Sequence, residues 1–109
     1  VLAGASHPEG VALGAWPVEL WPEPDRQEVR RISGESYDVP LGALWSADRD
    51  DLFFGGRCVS ASHEALGSIR VLGGCLETGQ AAGTAAALRA LKGRGTAEAI
   101  QPGRAWPEL

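Results

Sequence analysis

The stretch at residues 55–88, "GGRCVSASHEALGSIRVLGGCLETGQAAGTAAAL", decides the fold because half of its 34 residues are small: seven glycines, seven alanines and three serines. Glycine in a helix interior costs up to about 1 kcal/mol relative to alanine, so each one needs a physical reason. Residues 71–91 still predict a helix, since "TAAALRAL" has strong helix propensity. Gly93 after Lys92 is a typical stop signal. Such a helix would span roughly 30 Å.

The glycines of this predicted helix fall into two groups. Gly79 and Gly83 recur with Ala87 at every fourth residue. They predict a smooth face on which either a packed sheet or a flat ligand lies close to the backbone. Gly73 and Gly74 belong to the first turn, where free N–H groups and the positive end of the helix dipole face outward. A glycine pair there would let an anionic or carbonyl-bearing ligand approach the amides.

The segment before this helix adds further polar candidates. "DLFFGG" at 51–56 predicts a short buried strand. Arg57 would then lie beyond the carboxyl end of a strand, where α/β proteins bind ligands. Residues 57–70 are predicted to be irregular, with serines that offer caps and turns. The chain contains neither GxGxxG nor a Walker pattern, and "GRCVSAS" is not a G-x-S-x-G nucleophile elbow.

Two side chains in this irregular segment are candidates for chemistry. His63 could act as an acid, a base or a polar ligand, although a single loop histidine is more often without a functional role. Arg70 precedes the predicted helix, where a cation is unfavourable for the helix dipole. That conflict favours a role for Arg70 in holding an anion or a carbonyl oxygen.

The first forty residues predict only short extended pieces. These are 18–21, which must turn at Pro22 and Pro24, then 28–33 and 36–40. Residues 1–15 are weakly patterned, with a loop predicted at 7–10.

Composition excludes several classes of protein. The net charge is −4, and no Lys/Arg cluster suggests nucleic-acid binding. No apolar run reaches the length of a membrane span, and the first residues lack the features of a secretory signal. Cys58 and Cys75 are too few for a zinc site or a disulfide framework, so we expect no bound metal. Free thiols indicate a reducing compartment, which predicts a cytoplasmic location. The absence of a C-x-x-C pair disfavours a thiol redox protein.

Residues 37–88 carry a series of motifs in order: Tyr-x-x-Pro, Gly-Arg-Cys, Ser-x-Ser-His-Glu-Ala, Ser-Ile-Arg-Val and Gly-Gln-Ala-Ala-Gly-Thr-Ala-Ala. In this the chain resembles the C-terminal end of FAD-dependent oxidoreductases related to the glutathione-reductase-type flavoproteins. Residues 11–24 resemble the preceding segment more loosely. The resemblance implies an α/β fold, namely a fragment of an FAD-binding domain with a few short strands and one long C-terminal helix.

The resemblance also implies roles for individual residues. The glycine pair and arginine at 55–57 would border the ribityl and pyrophosphate part of FAD. The helix start at 71–74 would point its amides toward the pyrimidine edge of the flavin, where a helix N-terminus stabilises negative charge. The residues assigned to FAD in this way are Gly55, Gly56, Arg57, Val71, Leu72, Gly73 and Gly74. By analogy with fumarate-reductase-like flavoenzymes, His63 and Arg70 would touch the substrate.

The resemblance divides the chain into three parts. Residues 1–36 would be the end of a substrate-side region, 37–93 the C-terminal part of the FAD-binding domain and 94–109 a tail. The chain has no methionine and no dinucleotide-binding loop, so we expect a C-terminal fragment whose partner is a missing N-terminal dinucleotide-binding region. Family members often have Tyr-Arg where this chain has Leu41-Gly42, a departure that leaves the small-molecule substrate unidentified. The alternative is a non-catalytic α/β module, or a truncated remnant without activity of its own.

Overall fold

The structure, a computed structural model, describes Val1 and residues 3–92, except for the side chain of Lys92. Short strands and turns come first and helices follow, which confirms the predicted mixture of short strands and a long C-terminal helix. The elements are β1 (Gly10–Gly14), β2 (Val18–Glu23), β3 (Arg26–Arg30), β4 (Tyr37–Pro40), a 3-10 helix at Leu41–Leu44, a second at Gly56–Cys58, α1 (His63–Ile69) and α2 (Leu72–Lys92).

The strands form two separate antiparallel pairs, β1 with β4 and β2 with β3. β1 was not predicted, and it joins residues on the two sides of the proposed boundary at 36/37 by pairing Gly14 with Tyr37. The predicted turn at Pro22 is wrong, because β2 continues to Glu23. Its pairing with β3 is irregular between Leu20 and Glu23, and such an irregularity accommodates a residue that has no N–H to donate. β4 matches the predicted extended piece.

The predicted strand at 51–56 is wrong. Only one isolated bridge forms there, between Trp45 and Phe53, whose rings stack with centroids 5.4 Å apart. Two backbone bonds support it: Phe54 N–H donates to Leu44 C=O at 2.8 Å, and Ser46 N–H donates to Leu52 C=O at 3.0 Å. Apart from this bridge, no strand pairs with residues 51–56 among the described residues, and a longer strand would need a partner for its remaining backbone hydrogen bonds.

The prediction that residues 57–70 are irregular is also wrong in part, because α1 occupies residues 63–69. Ser62 caps this helix by accepting a hydrogen bond from Ala65 N–H at 3.2 Å. A Cβ at Gly67 would lie 2.7 Å from Glu19 C=O, so glycine lets α1 lie directly on β2. The cap was visible in the sequence, but the close contact with β2 was not.

The long helix is confirmed: α2 runs from Leu72 to Lys92. Gly93 and the tail at 94–109 lie outside the described residues. The buried face of α2 packs on the strands, with Ala81 in a core cluster with Val39 and Leu44, and Ala85 against Leu41. None of the helices within residues 3–92 is long and apolar enough to cross a membrane.

The small residues of α2 lie on two different faces. Thr78 and Ala82 are buried, whereas Gly79, Gly83 and Ala87 are exposed. A Cβ at Gly83 would meet no atom within 4 Å in the described part of the chain. A Cβ at Gly79 would likewise meet no atom within 4 Å. Close packing therefore requires neither glycine within the described residues, although the backbone of Gly79 lies against Gly55, as described below.

Candidate functional site

The glycine turn, defined here as residues 55–58, lies directly on the middle of α2. A Cβ at Gly55 would be 2.9 Å from the Cα of Gly79 and 3.3 Å from Thr78 C=O, both of them backbone atoms. Gly56 adopts a φ of +61°, a left-handed conformation that side-chain-bearing residues rarely take. Both glycines are thus required by the chain itself: one by close approach and the other by backbone conformation.

Thr78 connects this turn to the start of α2. The hydroxyl oxygen of Thr78 accepts a hydrogen bond from Gly56 N–H at 2.9 Å. The same hydroxyl donates to Gly74 C=O at 2.7 Å, one helical turn earlier. Thr78 is fully buried, so neither bond competes directly with bulk water. The turn and the helix start are therefore joined through one side chain.

Arg57 brings a positive charge to the same place. Its side chain is exposed, and Nε donates to the backbone C=O of Arg70 at 3.5 Å. That carbonyl lies at the joint between α1 and α2, where it also accepts from the Cys75 thiol at 3.4 Å. Because Arg70 precedes α2 by two residues, the Arg57 guanidinium lies beside the positive end of the α2 dipole.

The first turn of α2 presents free backbone donors. Within the described part of the chain, the first N–H of α2 with a backbone acceptor is that of Cys75, which donates to Val71 C=O at 2.9 Å. The preceding amides of Leu72, Gly73 and Gly74 have no such acceptor among these residues. Leu72 is 76% exposed. A Cβ at Gly73 would meet nothing within 4 Å, so this position has room for an approaching group.

Gly74 differs from its neighbour. It is buried, and a Cβ there would collide with the backbone C=O of Ile69. Its lack of a side chain is therefore explained by the α1–α2 joint, and no ligand is needed to account for it. The sequence analysis treated Gly73 and Gly74 as one pair that a ligand approaches. The structure gives Gly74 a separate reason, which is its contact with Ile69 C=O.

The two candidate substrate residues lie at opposite ends of α1. His63 is the first residue of α1 and is exposed, while Arg70 caps its last turn. The Arg70 guanidinium donates to Glu19 C=O at 3.4 Å, which ties the joint to β2. The carbonyl oxygen that Arg70 contacts belongs to the chain itself, so this contact is not the substrate contact that the resemblance implies. The backbone C=O of Arg70 accepts from Arg57 Nε, whereas His63 is separated from both arginines by the length of α1.

Sequence reasoning missed two polar side chains that organise this region. In the sequence, Thr78 looks like one of many small residues. What distinguishes it is a hydroxyl group in the series Thr78, Ala82 and Ala86, whose other members are alanines. Ser68 is fully buried and hydrogen-bonds the Tyr37 hydroxyl at 2.7 Å, which links α1 to β4. Burial raises the pKa of Tyr37, and the hydrogen bond with Ser68 acts in the opposite direction. A serine between Gly67 and Ile69 gave no sequence signal of this role.

The chemistry of the donor set favours an anionic or carbonyl-bearing group. Three amides without a backbone acceptor and the positive end of the helix dipole belong to the first turn of α2, and Arg57 Nε lies on the C=O of Arg70 just before it. Of these positions Gly74 is buried, whereas Leu72 and Gly73 are exposed. Among residues 1 and 3–92, no group of three or more His, Cys, Asp or Glu side chains is arranged to hold a metal ion.

Comparison with known families adds one finding. A family model described as FAD dependent oxidoreductase matches residues 1–104 of the chain. Comparisons with curated proteins and with solved structures gave no match.

Proposed function

Because the chain belongs to the FAD dependent oxidoreductase family, we propose that it forms the C-terminal part of an FAD-binding domain in a glutathione-reductase-type flavoprotein. FAD is the cofactor of the family, and when bound it supplies hydride or electron transfer. The protein then contributes binding, orientation and electrostatics. The observation that carries the proposal is the junction of the glycine turn with the start of α2.

Two groups of residues would hold FAD in this proposal. The glycine turn offers a backbone that a bulky ligand can approach, with Arg57 as an adjacent cation. The amides at residues 72–74 offer hydrogen-bond donors at the positive end of a helix, which suit the polar pyrimidine edge of a flavin. Val71, half-buried at the α1–α2 joint, would fix the direction of this first turn. These amide donors suit the polar edge of FAD, and the open space beside Gly73 leaves room for it.

His63 and Arg70 are proposed to face a small-molecule substrate. The exposed position of His63 at the start of α1 supports access from outside. Arg70 is already bound to Glu19 C=O, so its contribution would be to orient the joint and to add positive charge. The identity of the substrate is not assigned, because the chain has Leu41-Gly42 where family members often have Tyr-Arg.

We also propose that a dinucleotide-binding region pairs with this chain, and the free backbone edge around Phe53 supports this. The two hydrogen bonds that flank Trp45 and Phe53 make them a non-hydrogen-bonded pair, so the N–H and C=O of Phe53 itself point away from Trp45. That outward edge can accept another strand. A sheet continued there would turn residues 52–54 into the strand that the sequence predicts.

The exposed face of α2 supports the same partner. Leu72, Leu76 and Leu91 are 76%, 65% and 82% exposed, and small residues lie between them. Apolar side chains arranged along one helix face are typical of a contact surface. We propose that the dinucleotide-binding region, which would carry the GxGxxG loop that this chain lacks, covers this face and completes the FAD site.

The proposal is tested in the full-length polypeptide that contains this chain. We expect a yellow protein with flavin absorbance, from which FAD can be released and rebound. Arg57→Ala should raise the dissociation constant of FAD about tenfold or more, because a hydrogen bond to a charged group contributes about 1.5–3 kcal/mol. Arg31→Ala, which removes an exposed arginine beyond the end of β3, is the matched control and should bind FAD as the wild type does.

Two results would decide against the proposal. A full-length protein without flavin, and without affinity for added FAD, would favour the non-catalytic module. Equal FAD affinity in Arg57→Ala and Arg31→Ala would remove the glycine turn from the cofactor site.

A further inference from the structure

We infer that Thr78 is a positioning residue for the cofactor site, because it holds the glycine turn in register with the start of α2. This inference rests on the proposed function, and it concerns a residue that neither the sequence motifs nor the family match assigns. Thr78 itself touches neither FAD nor substrate in this scheme. It acts through Gly56 and Gly74.

The geometry of the hydroxyl carries the inference. One oxygen accepts from Gly56 N–H at 2.9 Å and donates to Gly74 C=O at 2.7 Å. The first bond fixes the glycine turn, and the second fixes the hydroxyl rotamer against the first turn of α2. Donor and acceptor functions of the hydroxyl are both used, which is the condition for burying it without a desolvation penalty.

The remaining contact between turn and helix lacks this directionality. Gly55 lies against the backbone of Gly79, but that is a van der Waals contact and it permits sliding. Between the turn and the middle of α2, within the described residues, the bond from Gly56 to Thr78 is the one hydrogen bond. The other hydrogen bond from the turn toward the start of α2, from Arg57 Nε to Arg70 C=O at 3.5 Å, is long and comes from an exposed side chain. Removing the Thr78 hydroxyl would therefore loosen the turn relative to the amides at 72–74.

Thr84 on the same helix shows what an ordinary threonine does there. Its hydroxyl donates to Gln80 C=O at 2.8 Å, four residues earlier, and accepts from no other described group. Thr78 makes the same backward bond and in addition accepts the turn's N–H. The two threonines thus share the backward bond and differ in two respects: Thr78 accepts a hydrogen bond from another element, and it is fully buried whereas Thr84 is half-buried. Thr84→Val therefore controls for loss of the backward bond.

The test uses Thr78→Val, Thr78→Ser and Thr84→Val in the full-length protein, with Arg57→Ala beside them. Two quantities are measured: hydrogen exchange of the peptide that covers residues 55–58 in the apoprotein, and the dissociation constant of FAD. Valine keeps the shape and removes the hydroxyl, whereas serine keeps the hydroxyl. If Thr78→Val does not fold, Thr78→Ala takes its place.

We expect Thr78→Val to exchange faster at residues 55–58 and to bind FAD about 3- to 10-fold more weakly, the range expected for one intramolecular hydrogen bond. Thr78→Ser and Thr84→Val should match the wild type in both measurements. Wild-type behaviour of Thr78→Ser would show that the hydroxyl, and not the volume of the side chain, holds the turn.

The failures are distinguishable. Unchanged exchange in Thr78→Val overturns the inference, since the turn would not depend on the hydroxyl. Faster exchange with unchanged FAD affinity also overturns it, and the proposed site survives if Arg57→Ala still weakens binding. If neither Arg57→Ala nor Thr78→Val changes the affinity, the proposed site fails and the inference fails with it.

Discussion

The two glycine pairs of this chain, Gly55-Gly56 and Gly73-Gly74, look alike in the sequence and differ in the structure. Both members of the first pair are required by the chain: Gly55 by the backbone of Gly79 and Gly56 by its φ of +61°. In the second pair only Gly74 is required, by Ile69 C=O, while Gly73 faces open space. The two members of a glycine pair can therefore have different physical reasons, and in the second pair the described chain accounts for Gly74 alone.

This comparison narrows the candidate site. Three of the four glycines have a sufficient reason within the described residues, so their presence is not by itself a sign of cofactor binding. Gly73 has no such reason, and alanine would be a better helix residue at an open position. Substituting the glycines one at a time tests whether the two pairs differ in this way.

The largest effect is expected from Gly74→Val. The side chain would collide with Ile69 C=O, and backbone at the α1–α2 joint cannot move as easily as a side chain. Overpacking of this kind typically costs about 1–3 kcal/mol, and we expect the free energy of unfolding to fall by about 3 kcal/mol. Chemical denaturation measures it, with Gly73→Val as the control. Similar losses for the two variants would erase the proposed difference between them.

Gly55→Ala should come next. Its methyl group would lie 2.9 Å from the Cα of Gly79, so the glycine turn must lift from α2. We expect a loss of about 2 kcal/mol in the free energy of unfolding, within the range for overpacking. Gly42→Ala is the control, because a Cβ there would meet no atom within 4 Å in the described part of the chain. A Gly55→Ala protein as stable as the control would contradict the close approach.

Gly56→Ala is expected to have a smaller effect. The nearest atom to its Cβ would be the Cys75 sulfur at 3.7 Å, which is ordinary contact, so only the left-handed conformation is unfavourable. That conformation costs a side-chain-bearing residue about 1–2 kcal/mol. Gly56→Asn should lose less than Gly56→Ala in thermal unfolding, because asparagine tolerates this region better. Equal losses would indicate a steric cause instead.

The smallest effect on stability, and of opposite sign, is expected from Gly73→Ala. Replacing an unconstrained helical glycine should raise the free energy of unfolding by about 0.5–1 kcal/mol. If a ligand approaches the amide at this position, the same variant should bind FAD more weakly in the full-length protein. Gly42→Ala, which is also open and lies outside α2, should leave the FAD affinity unchanged. Tighter or unchanged FAD binding by Gly73→Ala would count against the contact at the helix start.

Much of the fold could be predicted from local patterns. The extended piece that became β4 and the helix α2 depend on residue propensity and on punctuation by proline and glycine, which are written in short windows. The helix α1 could have been found from Ser62 as its N-cap, but the helix is short, and two other serines in the same segment, Ser60 and Ser68, were equally available as caps. β1 could not be found, since it is stabilised by pairing with residues about 25 positions away in β4.

The candidate site was predicted unevenly for the same reason. Arg57 and the helix start could be named as candidates because charge, glycine and helix polarity are local properties. Thr78 was not, because its role depends on Gly56, which is 22 residues earlier in the chain. The error at 51–56 has the opposite origin: the residues have the composition of a strand, and the described chain supplies a partner on one side alone.

The family, the long helix and the clustering of glycine and arginine near its start can be read from the residues alone, because they depend on residue type and spacing. Which glycines the backbone requires becomes visible in the folded chain, and so does the threonine that joins the turn to the helix. The physical reason is that close approach and hydrogen-bond pairing are relations between distant segments, and a pattern of neighbouring residues does not contain them.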